Sequence, residues 1–304
     1  MYIISITQLF FITIFFMKNC TFFTSSFKNK FPFNLAESKI LKKSNKLNSM
    51  TIHIINNNSW YNQNEMETFL NNNDFIQNKK IISISPGGYK GFYVLGICKY
   101  IRENYDLDDY IFTGASAGAW NSLILSYKYE INNLIKQLVD DYIQNATNIY
   151  ETEQLLKKKI LQNYNSDDFD LRRLFIGVTT IQKYDYNTTI FSGFDNLEDA
   201  VNCCIASSHI PLVTGRLKHI YKNLISFDGG FSKYPYLNTS KPVLHITPSI
   251  WLNNENNVKK KKLNITDYTT LFSKNKFVFA DMVKQGYKDT RDNKDILDKI
   301  FLGN

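Results

Sequence analysis

Tyr110-Ile-Phe-Thr-Gly-Ala-Ser116-Ala-Gly-Ala-Trp120 joins a short apolar run to a helical pattern that continues to about Tyr129. The run predicts a buried strand and the pattern a helix, so Ser116 falls on the turn between them. A serine held on so sharp a turn needs small neighbours, because the chain is strained there and its flanks pack closely. Gly114, Ala115, Ala117 and Gly118 meet that demand. The turn lifts the hydroxyl above a sheet edge and sets it at a helix N-terminus, where free N–H groups and the helix dipole favour developing negative charge. Acyl transfer with Ser116 as nucleophile is the chemistry such an elbow serves.

Upstream, Lys80-Ile-Ile-Ser-Ile84 predicts a second buried strand ending in Ser85-Pro86-Gly87-Gly88-Tyr89-Lys90-Gly91. A helix follows from Phe92 to about Glu103, with Val94, Leu95, Ile97, Cys98 and Ile101 at helical spacing. A glycine loop at a helix start leaves backbone N–H groups free to cradle an anion, either a phosphate or the oxyanion of a tetrahedral intermediate. The loop lacks the spacing of a P-loop, and Pro86 stands where the first glycine of a dinucleotide fingerprint would be. An oxyanion hole built from the N–H groups of Gly87 and Gly88 is therefore the better reading. Lys90 either anchors the loop and meets an acidic head group, or is a solvated lysine at a helix start.

Downstream, Leu174-Phe-Ile-Gly-Val-Thr179 and Leu224-Ile-Ser-Phe227 read as further strands, the second ending at Asp228-Gly229-Gly230. In an open α/β sheet the site lies at the carboxyl ends of the strands, so Asp228 and Ser116 are expected to meet there. The glycines after Asp228 allow another loop to approach closely, although Asp-Gly-Gly by itself is equally an ordinary turn.

Length and composition fit one α/β domain of roughly 250 residues plus a tail within the 304-residue chain. The hydrophobic content of 43% is that of a globular protein. The formal charge of +8 is concentrated up front: residues 1–49 hold seven lysines against one acid, Glu37, which leaves +2 for the rest. With no basic stripe interleaved with aromatics, nucleic acid is excluded as a partner, and the run Lys259 to Lys262 reads as a solvated loop among asparagines or, alternatively, as a contact with an anionic membrane surface. Cys20, Cys98, Cys203 and Cys204 show no metal-ligand spacing and no disulfide framework, and the four histidines form no zinc motif. A reduced compartment, no metal and no cofactor are expected.

Residues 1–49 are assigned to a hydrophobic and then Lys/Ser-rich leader or anchor outside the fold, 50–79 to an N-terminal extension, 80–295 to the domain and 296–304 to a tail. Tyr2 to Met17 is short for a transmembrane span and lacks the positive start of a secretory signal. Three readings stay open: an uncleaved membrane anchor, a signal or targeting leader, and translation beginning at Met50. An intracellular, membrane-associated protein is the expectation. The stretch from Asn132 to Asn163 predicts one or two amphipathic helices, packed on the core or forming a cap that meets lipid.

The glycine loop with Gly88-Tyr-Lys90-Gly91, then Gly114-Ala-Ser116-Ala-Gly118, then Asp228-Gly229-Gly230, in that order, resembles the patatin-like phospholipase family. Ala206-Ser-Ser-His-Ile-Pro211, His245-Ile-Thr-Pro-Ser249 and Val283-Lys-Gln-Gly-Tyr-Lys-Asp289 are similar to segments of its animal branch, which includes adipose triglyceride lipase and adiponutrin. The similarity runs from about Ile81 to Asp295. It implies a three-layer α/β/α fold with a mainly parallel central sheet, and a lipid acyl hydrolase acting on membrane phospholipid or neutral glyceride at a membrane surface. It implies no specific protein partner. It further implies a Ser-Asp dyad: Ser116 as nucleophile, Asp228 as general base, and Gly87 and Gly88 as oxyanion donors. Pro86 departs from the usual all-glycine loop and, having no N–H, donates nothing there. The long lipid-droplet-targeting tail of the animal enzymes has no counterpart, so droplet binding is not implied.

In such a dyad the carboxylate accepts the serine proton during attack, returns it to the leaving alcohol, and then activates water against the acyl-enzyme. Two other readings compete. His245 follows Ser116 and Asp228 in the chain order of an ordinary Ser-Asp-His hydrolase. A catalytically silent, membrane-lipid-binding protein would keep the fold without the chemistry, although nothing in that role demands Ser116, Asp228 and the glycine pair together.

Overall fold

The computed structural model describes residues 54–56, 74–182, 185–232, 234–237, 242–251 and 277–303. The readings of residues 1–49 and of the lysine run at 259–262 lie outside them. Among the described residues the sheet has eight strands: β1 (Ile54–Asn56), β2 (Lys80–Ile84), β3 (Tyr110–Gly114), β4 (Leu174–Gln182), β5 (Asp185–Phe191), β6 (His219–Tyr221), β7 (Leu224–Phe227) and β8 (Leu244–Ile246). Its main path runs β1-β5-β4-β3-β2-β8, with the β6–β7 hairpin attached to β4. The β2–β3, β2–β8 and β3–β4 pairs are parallel. Because only β5 and β7 run against β4 and its parallel neighbours, most strands share one direction in a mixed α/β sheet.

The fully buried apolar runs seen in the sequence are the central strands, as expected where both sheet faces are covered. Alternate side chains of β2 and β3 go to opposite sides. Ile82, Ile84 and Phe112 pack with Val94, Ile97 and Ile101, whereas Ile81 and Ile111 pack with Ile76, Phe175 and Leu237. The first side carries the main helical layer: α2 (Gly91–Asn104), α3 (Ala117–Leu125), α7 (Leu197–Ser207) and α8 (Phe279–Asp292). The other side carries the short α1 (Asp74–Gln77) and the chain at Leu237, a thinner layer.

Three elements differ from the sequence reading. The α3 helix ends at Leu125 rather than near Tyr129, because the Ser126 hydroxyl donates back to the Leu123 carbonyl and Tyr127 turns away to pair with Phe169. The stretch expected as one or two helices forms three: α4 (Ile131–Leu138), α5 (Asp141–Gln144) and α6 (Ile149–Asn163). Asp140 and Asn148 divide it by accepting N–H bonds from Ile143 and Glu151 at new helix starts. Residues 296–304, expected as a tail, largely belong to α9 (Lys294–Phe301), whose Leu297 is fully buried and whose Phe301 stacks on Tyr105. Within the expected extension, β1 pairs antiparallel with β5 and Ile76 joins the core.

The α2 helix, which carries the glycine loop at its start, is set by backbone-to-backbone contact with α8. A Cβ added at Gly96 would overlap the Val283 carbonyl, and one at Gly286 would overlap the Tyr93 carbonyl. The Tyr93 hydroxyl donates to Asp289 at 2.7 Å, and the Tyr100 and Tyr287 rings meet edge-on at 5.2 Å. Since the obstructing atoms are backbone, Gly286→Ala must push the two helices apart. A loss of about 3 kcal/mol is expected, seen as a lower urea midpoint with an unchanged slope.

Candidate active site

Ser116 has φ 53° and ψ −126°, a left-handed conformation that a side chain disfavours. The surrounding turns over-determine it. A Cβ on Gly114 would overlap the Gly118 carbonyl and one on Gly118 would overlap the Ile84 carbonyl, so the elbow lies directly on the end of β2. The Ser116 amide donates to Ser207 Oγ at 2.8 Å, and Ser207 donates in turn to the Gly177 carbonyl at 2.6 Å. The elbow is thereby tied to α7 and β4 together.

The Ser116 hydroxyl donates to Asp228 Oδ2 at 2.6 Å, and both residues are buried. Asp228 follows the carboxyl end of β7, which is not one of the parallel strands of the sheet. The β7 strand runs antiparallel to β4, with Phe227 opposite Thr179, and delivers Asp228 inward along β4 from the far side. Two constraints hold it there. The Asp228 amide donates to the His209 carbonyl at 2.7 Å, and the Asp228 carbonyl accepts from Thr179 Oγ1 at 2.9 Å. The segment from Ser207 to His209 therefore grips the backbone of both Ser116 and Asp228.

Gly229 makes that approach possible, since a Cβ there would overlap the Gly177 carbonyl and lie 2.7 Å from Ala115 Cβ. The Gly230 amide donates to Asp228 Oδ1 at 2.6 Å, so each carboxylate oxygen has one donor. Pro86, the departure in the glycine loop, packs over this turn: a Cβ on Gly230 would lie 3.1 Å from its ring carbons. Burial outweighs the bonds from Ser116 and Gly230 and pushes the Asp228 carboxyl up to about 6 from 3.8.

The glycine-loop residues divide. Gly88, with φ 51°, and Gly91 line the cavity in front of Ser116, while Gly87 stands one residue back against Pro248. Asn121 Nδ2 donates to the Gly91 carbonyl at 3.1 Å and joins the two helix starts. Lys90 is exposed and lies outside the cavity wall. His245 is not brought to the site. It pairs with Ser83 across β2 and β8, its Nδ1 lies 2.7 Å from Ser83 Oγ, and strand alternation turns both away from the α2 side. His209 contributes its carbonyl, while its buried ring lies beside His219, and burial followed by the neighbouring imidazole pushes it down to about 4.

The cavity before Ser116 encloses about 690 Å³ of empty space including its mouth, and Phe92, Leu95, Ile124, Leu138, Leu156 and Ile160 give it an apolar wall. That is the surface an acyl chain would bury. No group of three or more His, Cys, Asp or Glu side chains placed to hold a metal occurs among the described residues.

The profile of one protein family, described as patatin-like phospholipase, matches residues 82–237, just over half of the chain. The chain belongs to the patatin-like phospholipase family. No curated protein matches it individually. The matched span of this patatin-like protein runs from the glycine loop through Ser116 to Asp228 and its glycines, and leaves β8, α8 and α9 outside. Membership makes it a lipid-hydrolysing esterase and lipids its substrate class.

Several residues of the patatin-like site escaped sequence reasoning. Thr179 left no signal, because ordinary core positions accept that residue type, and Ser207 and Ser208 were legible only within the similar segment Ala206–Pro211, without their hydrogen bonds to Ser116 and Trp120. Glu153 did leave one: it interrupts the otherwise weakly polar stripe Ile149, Thr152, Leu156, Ile160 on α6 and lines the cavity.

The raised Asp228 carboxyl makes a stability prediction. Its folded value lies above the unfolded one, so the folded state binds its proton more tightly and loses stability as pH rises from 3.8 through about 6. Asp228→Asn removes that penalty. The variant is expected to match the wild type at low pH and to exceed it by up to about 3 kcal/mol above neutrality, read from thermal denaturation across pH.

Proposed function

We propose that this chain hydrolyses the carboxylic esters of long-chain acyl lipids, phospholipid or neutral glyceride, through a Ser116–Asp228 dyad and an acyl-enzyme. The observation that carries the reading is the 2.6 Å hydrogen bond from the Ser116 hydroxyl to a buried carboxylate at the head of an apolar cavity. As Oγ bonds to the ester carbonyl carbon, its proton passes to Asp228, and the carbonyl π pair moves onto oxygen. A carboxylate near 6 is a stronger base than an ordinary aspartate yet still ionised at neutral pH. The glycine loop at Gly87 and Gly88 supplies N–H groups for the oxyanion. Expulsion of the alcohol leaves acyl-Ser116, which water hydrolyses. The Ser116 amide is engaged by Ser207, which puts the demand for oxyanion donors on that loop.

Within the family, the segments Ala206–Pro211, His245–Ser249 and Val283–Asp289 favour the adipose triglyceride lipase and adiponutrin branch. The apolar cavity and the basic N-terminal stretch favour action at a membrane surface. Among the described residues no helix is long and apolar enough to cross a membrane.

The test uses fluorophosphonate labelling and a panel of phospholipid and glyceride vesicles with the full chain. Ser116→Ala is expected to abolish both labelling and hydrolysis. Asp228→Asn should lower kcat by on the order of 10²- to 10⁴-fold, and His245→Ala should leave it near the wild type. Wild-type kcat/KM should rise with pH through about 6 as Asp228 ionises. Full activity in Asp228→Asn, or loss of activity in a folded His245→Ala, would overturn the dyad.

A further inference from the structure

Glu153 is a buried acid that the dyad does not use. It lies on the face of α6 that lines the cavity, between Ile149 and Leu156, and is only 4% exposed. A buried carboxylate is costly unless a cation or several donors compensate it. Neither is at hand. Among the described residues no Lys, Arg or His lines the cavity, and Glu153 Oε2 has no hydrogen-bond partner. The groups that act on it electrostatically are Ser208 and Cys204 on the α7 side, Tyr89 on the glycine-loop side, and Asp228 after β7. Ser208 Oγ already gives its one proton to the Cys204 carbonyl at 2.9 Å and accepts from Trp120 Nε1 at 3.1 Å. The Ser208 hydroxyl is the one hydrogen-bonding group that favours the ionised form of Glu153, and burial outweighs it.

Two carboxyl groups thus line one cavity, Asp228 with two donors and Glu153 with the Ser208 hydroxyl alone. Asp228 receives hydrogen bonds from Ser116 and Gly230 and keeps the negative charge. Glu153 keeps the proton: burial pushes it well above its ordinary value against the pull of the Ser208 hydrogen bond, and the Asp228 charge adds to the rise. Environments that separate two carboxyls in this manner divide acid from base duties between them.

We propose that Glu153 is the general acid of the site, protonating the leaving alcohol in acylation and taking the proton of the attacking water in deacylation. The inference rests on the dyad reading above. In acylation Ser116 gives its proton to Asp228 as the Oγ–carbonyl bond forms. When the ester C–O bond breaks, the departing oxygen keeps the bonding pair and takes the Glu153 proton, leaving Glu153 ionised and Asp228 neutral. Water then adds to the acyl carbonyl and gives its proton to Glu153. As the Ser116 C–O bond breaks, Oγ keeps that pair and recovers the proton from Asp228. The sum is ester plus water to acid plus alcohol, and the two carboxyls share a single charge in each resting stage, so the cavity never has to hold two.

The experiment compares an alkyl ester and a p-nitrophenyl ester of the same acyl chain, with full-length wild type and Glu153→Gln. An aryl leaving group departs without a proton, whereas an alkoxide does not. In Glu153→Gln, kcat/KM for the alkyl ester is expected to fall on the order of 10²- to 10³-fold. For the aryl ester kcat/KM should hardly change, because p-nitrophenolate departs without taking the Glu153 proton. Fluorophosphonate labelling of Ser116 should proceed at the wild-type rate, which separates failure of this proposal from failure of the dyad. Equal falls for both esters, or no fall in either, would overturn it. A wild-type measurement needs no variant: kcat/KM for the alkyl ester should decline as rising pH ionises Glu153, while the aryl ester keeps its plateau. Identical pH profiles for the two esters would sink the idea.

Discussion

Two turns have to touch before Ser116 and Asp228 can share a proton, and they touch because nothing but backbone and one methyl group lies between them. Gly229 rests on the Gly177 carbonyl and against Ala115, so the turn after β7 sits on β4 and the elbow at once. The elbow itself lies on the end of β2 through Gly118. Side chains at these places would separate the hydroxyl from the carboxylate by more than a hydrogen bond can span. The small residues thus set a distance, and the distance sets the chemistry.

That arrangement is held at some cost to the fold. Ser116 occupies a positive-φ conformation, and Asp228 and Glu153 are both buried with no basic side chain lining the cavity. Strain and unpaired acids of this kind persist where the surrounding structure fixes them, and here the fixing comes from Ser207, the His209 carbonyl and Thr179. The same features would be removed by selection for stability alone. Their concentration around one apolar cavity in a patatin-like protein suits the acyl transfer proposed above, which asks for a pre-set serine, a carboxylate of raised proton affinity and a dry wall.

Where the sequence misled, the competing influence can be named. The periodicity after Ser116 continued past the true end of α3 because Tyr127 is buried by Phe169 and Tyr164 rather than by a helix face. The Asn132 to Asn163 stretch was divided by capping side chains of Asp140 and Asn148, which hydrophobic spacing does not register. The direction of β7 was beyond reach, since a four-residue strand pairs either way and only its register with β4 decides. His245 had a favourable place in chain order, but the alternation of β8 turned it toward Ser83.

The sequence by itself determined the parts that depend on local chemistry: the strand, turn and helix around Ser116, the glycine loop, and an acid followed by two glycines. Small residues and apolar runs act through their immediate neighbours, so their meaning survives without the fold. Only the tertiary structure decided which acid Ser116 meets, that His245 is elsewhere, and that a glutamate from α6 faces the same cavity. Those outcomes depend on strand order, strand direction and the facing of a helix, which arise from contacts between residues as far apart as Ser116 and Asp228 and have no local signature.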